Sequence, residues 1–200
     1  MGRSGNMREE DAVLKIYHDA GLIVLPERRT IYINDAITST MSALFNLALL
    51  DMEAGDGRSD ITVYINSPGG EVTAGMSMID TMMTIQSDVR TVCVGQASSM
   101  GALILMAGTK GKREILPHSY VLIHQILGGT GSMMQAADIE IYAENISKRK
   151  KELFSFMADM TGQSIEKIEH DCDRNYTLSA AQAVEYGIVD AVIRRHGGDR

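Results

Sequence analysis

The sequence predicts a single α/β domain built on a largely parallel sheet. Short runs rich in Val, Ile and Tyr alternate with longer runs of helical period, and the strand-like runs pass into the helical ones through small-residue turns. With 200 residues and 44% hydrophobic content there is enough apolar surface for one full core and no need of a second domain. Strand followed by helix, repeated, favours parallel pairing with helices on the sheet faces.

Each element has its own signal in the chain. "RTIYIND" from Arg29 and "DITVYINS" from Asp60 read as strands, as do "VRTVCVGQ" from Val89 and "YVLIHQIL" from Tyr120. "STMSALFNLALLDMEAG" starts on Ser/Thr, stops near a Gly, and sets Met41, Leu44, Phe45 and Ala48 on one stripe, which predicts a helix. "EVTAGMSMIDTMMTI" and "SMGALILMAG" succeed their strands in the same way. From Asp138 to Met160, the residues Ile139, Tyr142, Ile146, Leu153, Met157 and Met160 keep a spacing of threes and fours, interrupted at Arg149 and Lys150. That predicts a helix of roughly 23 residues, about 35 Å long. A Gly-rich stretch, "LGGTGSMM", comes just before it. An ordinary surface helix would account for the pattern; an arm packing against a copy of itself would also account for the length.

Charge and cysteine usage exclude several classes. A net charge of -7 argues against nucleic acid, and the basic runs "SKRKK" (Ser147 to Lys151) and "RR" near the C-terminus read as solvated surface. Cys93 and Cys172 do not make a disulfide framework, which fits a cytoplasmic location. No apolar run reaches the roughly 18 residues that a membrane span needs, and the opening "MGRSGNMREED" is polar rather than signal-like.

The chemistry concentrates in "GQASSMGA", Gly95 to Ala102, where a buried strand runs through small residues into an apolar helix. A serine at that junction has its hydroxyl at the positive end of the helix dipole, beside unpaired N–H groups able to stabilise an oxyanion. Taken alone, the octapeptide is better explained by a plain serine cap. It is not a G-x-S-x-G elbow, since Ala97 stands where the first Gly should be. Two other stretches bear on it. "INSPGGEV", Ile65 to Val72, combines Pro68 with Gly69 and Gly70, and can turn N–H groups into a cleft or make a simple strand-to-helix turn. His124 is a lone polar ring in an apolar strand, ordinarily a satisfied core histidine, but a credible base if a serine nucleophile lies near.

"INSPGG", "GQASSMGA", "IHQ", "ADIEI", "TGQSIEKIEHD" and "SAAQAVEYGIVD" together resemble the ClpP family, the proteolytic subunits of the Clp protease, from about Arg28 to Ile193. The resemblance implies the ClpP/crotonase-type fold of repeated strand-strand-helix units with a protruding handle helix. It divides the chain into residues 1–27, a partly disordered segment and then a short helix, and one peptidase domain over 28–200 with its handle at about 125–160. It also implies a serine endopeptidase that cleaves peptides and unfolded proteins by acyl-enzyme chemistry, with Ser99 as nucleophile, His124 as base and the N–H groups of Gly70 and Met100 as oxyanion donors. Ser98 becomes a packing residue. Two stacked seven-membered rings are expected, joined through the handle and through Asp173 and Arg174. A second ClpP could share the barrel, and no cofactor or metal is expected.

The sequence departs from the family at several points. Asn175 holds the place of the third catalytic residue, normally an aspartate. Its amide oxygen can accept from His124 Nδ1–H but adds no charge, and an Asp-to-Asn exchange in a serine protease triad costs about 10⁴ in kcat where the amide turns the wrong way. A working but slow hydrolase is expected. The spacing from His124 to Asp138 is two residues longer than usual, and Ile126 replaces a proline. Among the aromatic positions that receive the ATPase, Tyr64 is retained while Thr62 and Thr84 replace rings, so docking of a Clp ATPase is expected to be weak. The competing classes are a poorly active structural subunit of a mixed barrel and, last, a crotonase-type acyl-CoA enzyme.

Overall fold

The computed structural model describes residues 20–127 and 135–194. The short helix expected ahead of Arg28 falls largely on residues 1–19, and the Gly-rich approach to the long helix on 128–134; both lie outside the described residues.

The chain is mixed α/β, with an eight-stranded sheet and six α-helices among the described residues. It opens with β1 (Leu22–Leu25), a 3-10 turn at Pro26–Arg28, and β2 (Thr30–Ile33). Helix α1 (Ser39–Gly55) leads to β3 (Ile61–Ser67), and α2 (Val72–Thr84) leads to β4 (Val89–Ser98). Then come α3 (Met100–Met106), β5 (Arg113–Ile115), β6 (Tyr120–Ile123) and the long α4 (Ala136–Thr161). The chain closes with α5 (Ile165–Asp171), β7 (Tyr176–Ser179), α6 (Ala180–Tyr186) and β8 (Ala191–Val192). Because β1 pairs antiparallel with β2, the sheet begins at Leu22, ahead of Arg28. The apolar LIVL run has two buried residues that the sheet covers.

The central strands pair in parallel, β2 with β3 and β3 with β4. β4 is the pivot. Its first half, Thr91 to Cys93, pairs with β5, while its last residues, Gln96 to Ser98, pair with β6. Between the halves the register against β3 shifts: Ile65 faces Cys93, but Ser67 faces Ala97. Two extra residues on β4 therefore bulge at Val94 to Gln96, and a bulge bends its strand and re-aims the residues beyond it. Ser98, Ser99 and the start of α3 are the residues re-aimed here.

α3 is buried on every side, as its wholly apolar sequence requires. α1 keeps the predicted stripe, with Met41, Phe45 and Ala48 buried, and its cap residue Thr38 accepts from the Met41 N–H at 3.2 Å. α4 extends over 26 residues, about 39 Å, and only Phe154 and Met157 are buried along it. Its first half stands away from the core, with Ile139 and Ile141 about half exposed.

One ion pair ties the end of the chain to the sheet. Arg113, 4% exposed, donates from Nε and Nη2 to Asp190 at 3.1 and 2.6 Å, and from Nη1 to the Met160 carbonyl at 2.9 Å. Asp190 also accepts from the backbone N–H groups of Gly111 and Arg113. Burial alone would raise the Asp190 carboxyl, but these bonds and the guanidinium charge hold it below the usual range. A carboxyl depressed in the folded state stabilises at pH values above its unfolded pKa, and that stability is lost as pH falls through the lower folded value. Asp190→Asn should cost about 3 kcal/mol in urea unfolding at pH 7 and should flatten the loss of stability below about pH 4, because Arg113 keeps its burial and loses its counter-charge.

Candidate active site

The site forms where β4 ends. Ser99 lies between β4 and α3 with φ 53 and ψ -121, a backbone conformation that residues with a side chain seldom adopt. Such strain costs about 1–3 kcal/mol and persists only where the surroundings hold it. Here the Ser99 N–H donates to the Leu122 carbonyl at 2.8 Å, continuing the β4–β6 ladder, while its own carbonyl accepts from Ala102 N–H at 2.9 Å. The serine is thus clamped between strand and helix, and its hydroxyl is left to the cleft.

The Pro68–Gly70 turn closes over it. A side chain at Gly69 would come within 2.6 Å of Ser99 Cβ and 2.8 Å of the Ser98 carbonyl; one at Gly70 would strike the Ile37 carbonyl. Both glycines also have positive φ, 98 and 155. The turn is latched by Ile37 N–H on the Gly69 carbonyl at 2.8 Å and Glu71 N–H on the Ile37 carbonyl at 2.9 Å. Neither bond uses the Gly70 N–H. Met100 is the first residue of α3, so its N–H has no partner within the helix. No bond among the described residues takes up either donor.

Ser99, Met100, Gly70 and His124 line one cleft of about 250 Å³. Its apolar wall includes Val72, Leu103, Ile123, Leu153 and Phe154, with Lys150 at the α4 side. Ser98, by contrast, is buried and its hydroxyl donates to Gln96 Oε1 at 3.3 Å. No hydrogen bond joins Ser99 to His124, as is common in unliganded sites whose bonds tighten around substrate.

His124 comes directly after β6, half buried, with Nδ1 2.5 Å from the Gln125 carbonyl. A carbonyl only accepts, so Nδ1 carries the proton and Nε2 is left as the basic nitrogen. Asn175 is exposed and is not part of the cleft wall, and no bond links it to His124. It precedes β7, however, and the antiparallel register pairs Ile123 with Tyr176. That pair is the last of the ladder, so His124 and Asn175 are the next residues beyond it on the two chains, and the Gln125 N–H bond to the Cys172 carbonyl shows that the register shifts there. Asp173 and Arg174 are well exposed, 3.6 Å from one another. Cys172 beside them is buried, and burial first, with Asp171 second, pushes its thiol up to about 12, which makes it inert as a nucleophile. Gln125, whose carbonyl contacts His124 and whose side-chain amide holds the segment before Asn175, enters the sequence only as part of the motif IHQ, which assigns it no role.

Gly69→Ala should destabilise the chain by at least about 1 kcal/mol in urea unfolding, since the added methyl displaces Ser99 itself.

Comparison with known proteins gives one family. The profile of a family described as Clp protease matches residues 15–196. ATP-dependent Clp protease proteolytic subunit 2 of Prochlorococcus marinus (strain MIT 9312) is 54% identical over 161 residues, covering 80% of this chain and 77% of the relative. Subunit 3 of the same name from Synechococcus sp. (strain CC9605) is 52% identical over 161 residues, covering 80% and 78%. Subunit 1 from Shouchella clausii (strain KSM-K16) is 46% identical over 165 residues, covering 82% and 84%.

Proposed function

The chain belongs to the Clp protease family and is a serine-type peptidase, and from that premise we propose that it cleaves peptides and unfolded proteins as an endopeptidase subunit of a barrel. Ser99 is the nucleophile, His124 the general base and Asn175 the third member. One observation supports this above the others: Ser99 is held in a strained turn, in the same cleft as His124 and as Gly70 and Met100, whose N–H groups take up no bond among the described residues.

The steps derive from that arrangement. Ser99 Oγ attacks the scissile carbonyl as its proton passes to His124 Nε2. The carbonyl oxygen becomes an oxyanion between the N–H groups of Gly70 and Met100, which are fixed before substrate arrives and so need no reorganisation. The tetrahedral centre collapses, the amine leaves with the proton from His124, and an acyl ester remains on Ser99. Water, deprotonated by the same nitrogen, releases the acid and restores the serine. The apolar cleft wall accepts an apolar side chain beside the cleaved bond.

With Asn175 as third member the hydrolase is expected to be working but slow. The Asn175 amide oxygen can accept a hydrogen bond from Nδ1–H when the ring leaves the Gln125 carbonyl, yet it offers the imidazolium no charge. A second reading, a weakly active structural subunit within a mixed barrel, is favoured by the same fact: the oxygen nearest Nδ1 among the described residues is a neutral carbonyl.

The relatives are named as ATP-dependent proteases, and a Clp-type ATPase partner is proposed on that ground. Docking should be weak, since Thr62 shares the outer face of β3 with Tyr64, whose ring already packs edge-on to Tyr32 at 6.3 Å. The exposed half of α4 and the exposed Asp173 and Arg174 support stacked rings joined along those surfaces. Two buried free thiols fit the reducing cytoplasm. Among the described residues no helix is long and apolar enough to cross a membrane.

Ser99→Ala should abolish both hydrolysis of a short fluorogenic peptide and labelling by a fluorophosphonate, while Ser98→Ala leaves both within about twofold of the parent. A dead Ser98 variant would move the nucleophile by one residue. Asn175→Asp should raise kcat at least about tenfold, by placing a carboxylate against the imidazolium. Steady-state rates per assembled oligomer measure this, and an unchanged or lower kcat would remove Asn175 from the triad.

A further inference from the structure

The β6–β7 ladder ends at the pair Ile123 and Tyr176, one step short of His124 and Asn175. Beyond it, β7 would leave its partner unless something else held the chain. Two bonds from a single residue do so. The Gln125 N–H donates to the Cys172 carbonyl at 2.7 Å, and its side-chain amide Nε2 donates to the Asp173 carbonyl at 3.0 Å. Upstream, Asp171 is already anchored, accepting from Lys167 Nζ at 2.5 Å and from the Tyr186 hydroxyl at 2.9 Å. Downstream, Tyr176 is in the ladder. Only Arg174 and Asn175 lie between the two fixed points, so their freedom is small whatever their exposure.

We propose that Gln125 is a positioning residue of this site: its side-chain amide fastens the Cys172–Asp173 segment to the residue after the base and thereby sets where Asn175 stands relative to His124. The inference rests on the reading of Asn175 as third member. Gln125 touches the cleft wall as well, so a plain loss of activity on mutation would not separate positioning from packing. Two features do. A carboxylate of the same size cannot donate to the Asp173 carbonyl, so Gln125→Glu should fall as far as Gln125→Ala, although it fills the same volume. And a residue that acts through Asn175 has nothing left to do once the Asn175 side chain is gone.

The experiment measures kcat, KM and the pH profile of kcat/KM for short-peptide hydrolysis, per assembled oligomer, in Gln125→Ala, Gln125→Glu, Asn175→Ala and the double variant Gln125→Ala with Asn175→Ala. Each Gln125 variant should lose about ten- to a hundredfold in kcat, the scale expected for displacing a catalytic partner by about 1 Å. The double variant should be no slower than the slower single one, and the acid limb of the pH profile should move the same way in Gln125→Ala as in Asn175→Ala. Losses that multiply in the double variant, or a Gln125→Glu chain as fast as the parent, would overturn the role of Gln125 and leave that of Asn175 intact. An Asn175→Ala chain with parental kcat would overturn both. If Gln125→Ala does not assemble, the comparison of Gln125→Glu with its own Asn175→Ala double variant decides the same question.

Discussion

The fold turns on one backbone conformation, the strained turn at Ser99. A residue with a side chain and positive φ is unstable by itself, and here three neighbours hold it: the β6 carbonyl that takes its N–H, the first turn of α3 that takes its carbonyl, and the Gly69 turn, which leaves no room for a side chain beside its Cβ. Each neighbour has its own support. β6 is where it is because β4 bulges and changes partners; α3 is buried on all sides and cannot tilt; the Gly69 turn is latched to Ile37. The strain at one residue is thus distributed over the centre of the domain, and the hydroxyl it projects is set by the whole core rather than by local loops.

Much of this is legible in the residues. α1 begins and ends where its Ser/Thr start and Gly55 place it, and α3 and the long α4 obey the apolar spacing. Four strands carry no such signal. β5 and β8, with three and two residues, are too short for an alternation to register; β1 and β7 are no shorter than β2 and β6, and all four are strands because neighbours complete their ladders. α5 and α6 are reached only through motifs of the resemblance. In the candidate site, the serine junction, the glycine turn and the strand histidine can be read from spacing, since each needs a special backbone or a special environment. Gln125 cannot, because its two anchoring bonds go to carbonyls whose position depends on a segment almost fifty residues away in sequence.

The two ends of α4 do different work. Phe154 and Met157 belong to the core, and with Leu153 the buried end forms part of the cleft wall. The other end carries exposed Ile139 and Ile141 and touches little of its own domain. The helix is thus joined to the cleft at one end and reaches outward at the other.

The pairing of distant segments bears on when the protein can become active. β5 is completed by β8, Arg113 finds its counter-charge 77 residues later at Asp190, and β6 acquires its antiparallel partner only after α4 and α5 have been made. Long-range pairings of this kind form late and slowly. A nascent chain emerging from the ribosome therefore exposes Ser99, His124 and the glycine turn well before the strands that align them exist. The order of synthesis leaves these residues unaligned until the segment that forms β7 has been made.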